Sequence, residues 1–117
     1  MPVALRYADM TNGSQMTNVY PLPINCASSG DNILITGVND KQTLIFRIFF
    51  TVAGATIITF KDGSTNLTGA MTFTAGGAMA LDISGMPWFQ MTRGNSFILN
   101  SSNPVQISGA VYYQQKT

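Results

Sequence analysis

Asp9, Asp31, Asp40, Asp62 and Asp82 are the only acids of a 117-residue chain that has neither histidine nor glutamate. Without histidine, no Ser/His/Asp or Cys/His nucleophile system can be assembled. One cysteine, Cys26, and no histidine also leave no set of ligands for zinc or related transition metals. What remains is carboxylate chemistry, either a pair of aspartates for glycoside hydrolysis or an oxygen cage for calcium. Local sequence offers each aspartate a plainer role. Asp62 sits in Lys-Asp-Gly-Ser, Asp40 in Asn-Asp-Lys, Asp31 in Gly-Asp-Asn, and Asp9 shortly before Asn12-Gly13. Aspartate favours turns because its carboxylate bonds the nearby backbone. Asp82 interrupts an apolar run and is expected to point outward or to end a strand. The sequence therefore predicts no catalytic residue, no metal and no cofactor.

Other side chains suit contact better than catalysis. Trp88-Phe89, following Pro87, offers either a buried interface anchor or a platform on which a sugar ring stacks. Seven methionines are many for this length, and Met71, Met79, Met86 and Met91 flank the tryptophan segment, where they would fill a core or an intersubunit seam. Gly76-Gly77 and Thr92-Arg93-Gly94-Asn95 precede no helix that could hold a phosphate and read as turns. Cys26, close to Ile24 and to no cation, is expected to be a small core residue rather than a reactive thiol.

Composition narrows the partners. Charged residues are 9% of the chain, against roughly 25% in an ordinary soluble domain, while hydrophobic residues are 45%. Thr, Ser, Asn, Gln and Gly must therefore make most of the polar surface, which a neighbouring subunit covers without desolvating ions. Arg6, Lys41, Arg47, Lys61, Arg93 and Lys116 are scattered singly and net charge is +1, so no nucleic-acid partner is expected. No run approaches the ~20 apolar residues of a membrane helix and no signal peptide is legible, so no membrane partner is expected either.

The elements that would carry these residues are strands. Short β-branched and aromatic runs return from Asn32 onward, separated by Gly, Asn, Asp or Pro. Strands are predicted at residues 32–36, 42–52, 55–61, 65–73, 77–83, 87–91, 96–100 and 105–114. In the long second one, strict alternation puts Leu44, Phe46, Ile48, Phe50 and Val52 on one face and Ile45, Arg47 and Phe49 on the other. Tyr112 and Tyr113 should fall on opposite faces of the last. No segment keeps helical spacing. The expected fold is an all-β antiparallel β-sandwich of about eight strands, a jelly roll or another Greek key.

Residues 1–23 are read apart from the sandwich domain at 24–117. Pro2, Pro21 and Pro23 disfavour central pairing, yet Val3, Leu5, Tyr7, Met10, Met16, Val19 and Tyr20 are too apolar for a solvated tail. An extended N-terminal arm is expected, lying along the domain edge or across a neighbour, with those seven residues as assembly contacts and Trp88 as a second contact.

From about Lys41 to Tyr113 the chain resembles small β-sandwich proteins of tailed bacteriophages, among the head and decoration proteins. The pieces are Ala53-Gly54-Ala55-Thr56-Ile57, Phe60-Lys61-Asp62-Gly63-Ser64-Thr65, Leu67-Thr68-Gly69-Ala70-Met71, Pro87-Trp88-Phe89-Gln90-Met91-Thr92, Gly94-Asn95-Ser96-Phe97-Ile98-Leu99-Asn100 and Val105 through Tyr113. The resemblance implies a structural virion protein made in the host cytoplasm, a homotrimeric cement on the capsid exterior with the major capsid protein as partner. A tail-fibre or baseplate module binding a host surface glycan is the alternative. These motifs are turn and core residues and transfer no active site.

Overall fold

A computed structural model describes the main chain of residues 5–8 and 16–117, and the side chains from residue 19 onward. The described residues form eleven strands and no helix: β1 (Leu5–Ala8), β2 (Met16–Cys26), β3 (Gly30–Ile35), β4 (Gln42–Val52), β5 (Thr56–Asp62), β6 (Thr65–Asn66), β7 (Met71–Phe73), β8 (Ala78–Leu81), β9 (Phe89–Gln90), β10 (Phe97–Ser101) and β11 (Ile107–Lys116). They make an antiparallel sandwich. A six-stranded sheet runs β1-β2-β11-β4-β8 with β9 also on β4, and a five-stranded sheet runs β3-β10-β5-β6 with β7 also on β5.

The pairings are nested. β2 lies on β11, β3 on β10, β4 on β8 and β9, and β5 on β6 and β7, every pair antiparallel. One long hairpin has in effect been rolled over so that successive layers alternate between sheets, the strand order of a jelly roll. That order selects the jelly roll from the two expected sandwich topologies. The run at 65–73, expected as one strand, is broken: Thr65–Asn66 and Met71–Phe73 pair separately with β5. Thr68-Gly69-Ala70 loops out between them, and Leu67 N–H reaches back to Phe60 C=O at 2.8 Å.

Between the sheets, Phe50, Phe60 and Phe97 are fully buried. The Phe60 and Phe97 rings stack at 5.3 Å between centroids, with Phe89 5.7 Å from Phe60. Each such side chain contributes about 2–3 kcal/mol on leaving water. Cys26 is buried among them, and burial pushes its thiol pKa up.

Two features correct the sequence reading. In β4, Tyr112 pairs with Arg47 but Tyr113 pairs with Ile45, so Phe46 is an extra residue without a partner, a β-bulge. The bulge reverses the alternation on its N-terminal side. Ile45 therefore joins Ile48, Phe50 and Val52 in the core cluster, whereas Leu44 and Phe46, expected to share a face with those three, lie outside it, Leu44 still buried. The second feature is β2, which carries Pro21 and Pro23 inside the six-stranded sheet, so the expected division between residues 23 and 24 falls within a strand. The sheet admits them for a geometric reason. Ala53 N–H donates to Gln106 C=O, so alternate residues Ser108, Ala110 and Tyr112 bond β4, leaving Ile107, Gly109, Val111 and Tyr113 to bond β2. Their partners are Cys26, Ile24, Leu22 and Tyr20. The nitrogens of Pro21 and Pro23 thus face the other side, where the described part of β1 pairs with Met16 to Val19. Among the described residues, the missing N–H groups fall where no strand asks for them.

Candidate functional site

The two outer faces of the sandwich differ in chemistry. On the five-stranded sheet, Asp31, Asn100 and Lys61 link three strands: Lys61 Nζ donates to both Asp31 oxygens at 3.1 and 3.2 Å, and Asn100 Nδ2 donates to Oδ1 at 2.7 Å. The Asn100 and Lys61 hydrogen bonds hold the Asp31 carboxyl below its ordinary pKa. That face carries this ionic network together with two exposed isoleucines, Ile33 and Ile57.

The six-stranded sheet presents an aromatic and small-residue surface instead. Outward residues are fixed by the register: Phe49 and Arg47 on β4, Ser108, Ala110 and Tyr112 on β11, and Ala78 and Ala80 on β8. The Arg47 guanidinium carbon lies 5.2 Å from the centroids of both the Phe49 and Tyr112 rings. Its Nε meets Asp82 Oδ1 at 3.2 Å. Attraction to two ring faces holds a long cation flat on the sheet. Asp82 also accepts Ile83 N–H at 2.8 Å, so it is an outward, strand-ending residue. Beside this stack, Phe49, Thr51, Ala78, Ala80, Ser108 and Gly109 line an open trough of about 480 Å³. Alanine and glycine create it by leaving out side-chain volume between larger neighbours.

Trp88 completes the surface at the β9 end. Its neighbour Phe89 pairs with Ile45 and enters the core, so Trp88 turns outward and is 44% exposed. Its indole Nε1–H donates to Asp82 C=O at 2.7 Å and its backbone N–H to Ile45 C=O at 2.7 Å, which fix the ring plane. Met86, in the loop that this bond closes, is 71% exposed.

The expected assembly contacts are not gathered around Trp88. Val3 and Met10 lie outside the described residues. Leu5 and Tyr7 are on β1 opposite Val19 and Thr17, and Met16 on β2 is opposite Ala8, with only their main chain described. Val19 is buried outside the core cluster, and Tyr20 is exposed with its ring 6.4 Å from Tyr113. These positions occupy the β1–β2 side of the six-stranded sheet, whereas Trp88 occupies the opposite side. Sequence reasoning placed Arg47 and Phe49 on one face but missed Tyr112 as the second ring and Asp82 as the counter-ion, because strand register joins them and spacing does not.

Asp62 also differs from its expected turn role. It ends β5 with its side chain buried, and its Oδ2 accepts both Thr92 N–H at 2.9 Å and Thr92 Oγ1–H at 2.8 Å. It staples the 91–96 loop to the five-stranded sheet; its Oδ1 has no hydrogen-bond partner among the described residues. The described residues contain no group of three or more Cys or Asp placed to hold a metal ion. They also contain no helix long and apolar enough to cross a membrane.

No family model and no curated protein matches the chain. Among solved structures, the coat protein of Tobacco streak virus is similar over 82% of this chain and 86% of that one, at 11% identity and a TM-score of 0.37. A likeness of that size assigns no role.

Proposed function

We propose that the chain is a structural protein of a virion: a decoration or cement protein that binds the outer capsid surface, contacts the major capsid protein and acts as a homotrimer. The observation that carries the reading is the aromatic outer face of the six-stranded sheet. It displays the half-exposed Trp88 and, beside a trough that Phe49 lines, the Arg47 guanidinium, which pairs with Asp82 and lies against the Phe49 and Tyr112 rings. Such a face associates without desolvating a free ion, and aromatic and arginine side chains dominate interface energetics. Many copies, each adding a modest contact, would stiffen a shell without any single strong bond. The sequence resemblance to phage head proteins points the same way. The test compares particles with and without the protein under heat and osmotic shock; equal survival removes the cementing role.

The fixed plane of the half-exposed Trp88 ring favours a second reading, a tail-fibre or baseplate module that stacks a host surface glycan on the indole. A glycan array on which the folded Trp88→Ala chain loses a specific signal would select it over cementing.

A further inference from the structure

A partner that covers the aromatic face takes water from every polar group on it, and a buried N–H left without an acceptor costs more than a hydrogen bond ordinarily gains. The group with most to lose is the Arg47 guanidinium. Its Nε is 3.2 Å from Asp82 Oδ1, and no other ion pair or hydrogen bond joins it to the described residues. Both Nη groups are therefore unspent donors, on a side chain that is only 37% exposed.

The sheet also holds the guanidinium in place. The Phe49 and Tyr112 ring centroids each lie 5.2 Å from its central carbon, and Asp82 is itself anchored by Ile83 N–H at 2.8 Å. A cation fixed in this way loses little freedom when it meets an acceptor. In register, Ala80 and Ala110 stand on either side of Phe49, so no large side chain on those strands fences off the approach. Asp82 does not use up the charge: its side chain is 82% exposed, and an ion pair that water reaches so freely is weak.

On the reading that this face contacts the capsid protein, we infer that Arg47 meets a carboxylate there, the side chain of an aspartate or glutamate on the surface it covers. A carboxylate matches because its two oxygens accept in parallel from a planar fork of N–H groups. Phosphate or sulfate matches less well, since either brings more charge than one arginine, already shared with Asp82, can balance. On β11 the next cation, Lys116, stands four residues beyond Tyr112, about 13 Å along the strand. A lone backbone carbonyl would satisfy part of the fork and leave the rest dry. The acid is flanked by small or apolar residues, because aromatic rings and a trough floored by alanine and glycine adjoin the guanidinium.

Two measurements test the pair. In the first, which needs no variant, the full chain is titrated with benzoate and with benzamide, its neutral counterpart, while the Arg47 Nε–H resonance is followed. Benzoate should move that signal saturably and benzamide should leave it in place. An equal response to both, or to neither, overturns the carboxylate. In the second, particles lacking the protein are titrated with the parent and with Arg47→Gln, Arg47→Lys and Trp88→Ala, each shown to be folded by circular dichroism. Arg47→Gln should weaken association at least about tenfold, as loss of a charge-assisted pair does. Arg47→Lys, a point charge without the fork, should recover only part of that loss. If Trp88→Ala weakens association and Arg47→Gln does not, the acid opposite Arg47 is refuted while the contact face stands. If neither substitution changes association, the face is not the capsid contact and the acid falls with it.

Discussion

Gly109→Ala should be among the most damaging single substitutions in this chain, although it adds one methyl group. A Cβ at residue 109 would stand 1.9 Å from Phe49 O and 2.6 Å from Phe50 Cα, both backbone atoms of the adjacent strand. That is roughly 1.5 Å inside ordinary contact, and no side-chain rotation relieves it. β11 must move off β4 by about that distance, beyond what a hydrogen bond of 2.7–3.2 Å tolerates. The flanking pairs, Ser108 with Thr51 and Ala110 with Phe49, carry the backbone bonds exposed to this shift. Four such bonds at about 0.5–1.5 kcal/mol each give a loss of about 2–6 kcal/mol. For a domain of this size about 1 kcal/mol shifts the melting temperature by roughly 4 °C, so a fall of roughly 8–24 °C is expected by calorimetry. Gly69→Ala is the internal control, since no heavy atom lies within 4 Å of a Cβ there. It should stay within about 1 kcal/mol of the parent. If Gly109→Ala melts within about 3 °C of the parent, the close approach of the two strands is not what holds glycine at this position.

Thr92→Val keeps volume and shape but removes the hydroxyl that donates to Asp62 Oδ2 at 2.8 Å. With Oδ1 lacking a partner among the described residues, the loss should be about 1–3 kcal/mol in urea melts, and in a parallel Asp62→Ala chain, which has no acceptor there, most of the difference between Thr and Val at position 92 should disappear. Cys26 should resist iodoacetamide in the native chain at mildly alkaline pH and react rapidly in denaturant, because burial raises its pKa and hides the sulfur. For Asp31 the folded pKa is lowered, so its contribution to stability is present above the unfolded value of about 3.9 and is lost as pH falls through the folded value. Urea midpoints of the parent and Asp31→Asn should therefore differ slightly at neutral pH and converge in acid, and salt should shrink the gap because the pair is exposed.

How far the residues alone reach is clearest in β4. Its bounds, 42–52, follow from composition and turn signals, and Ile48, Phe50 and Val52 face the core as alternation requires. Alternation fails at Phe46 because a bulge is a property of a strand pair, set by the match between β4 and β11, and no one-strand pattern contains it. The same limit explains β2. Pro21 and Pro23 argue against a central strand only while it is unknown which side their nitrogens face, and that side is decided by the alternation of β11. Asp62 looks like a turn residue because Gly63 follows it, yet Thr92, thirty residues later, makes it a buried staple.

The candidate face shows the division in function as well. Repeated short β-branched runs determined from sequence alone that this is an all-β chain, and missing histidine and glutamate, one cysteine and few charges set which side chains it can present, because those statements depend only on which side chains exist and on local backbone preference. Tertiary structure alone decided that Arg47, Phe49, Tyr112, Asp82 and Trp88 share one surface. Those residues are brought together by register and by nesting of strands distant in sequence, and register is settled by the packing of both sheets on a common core.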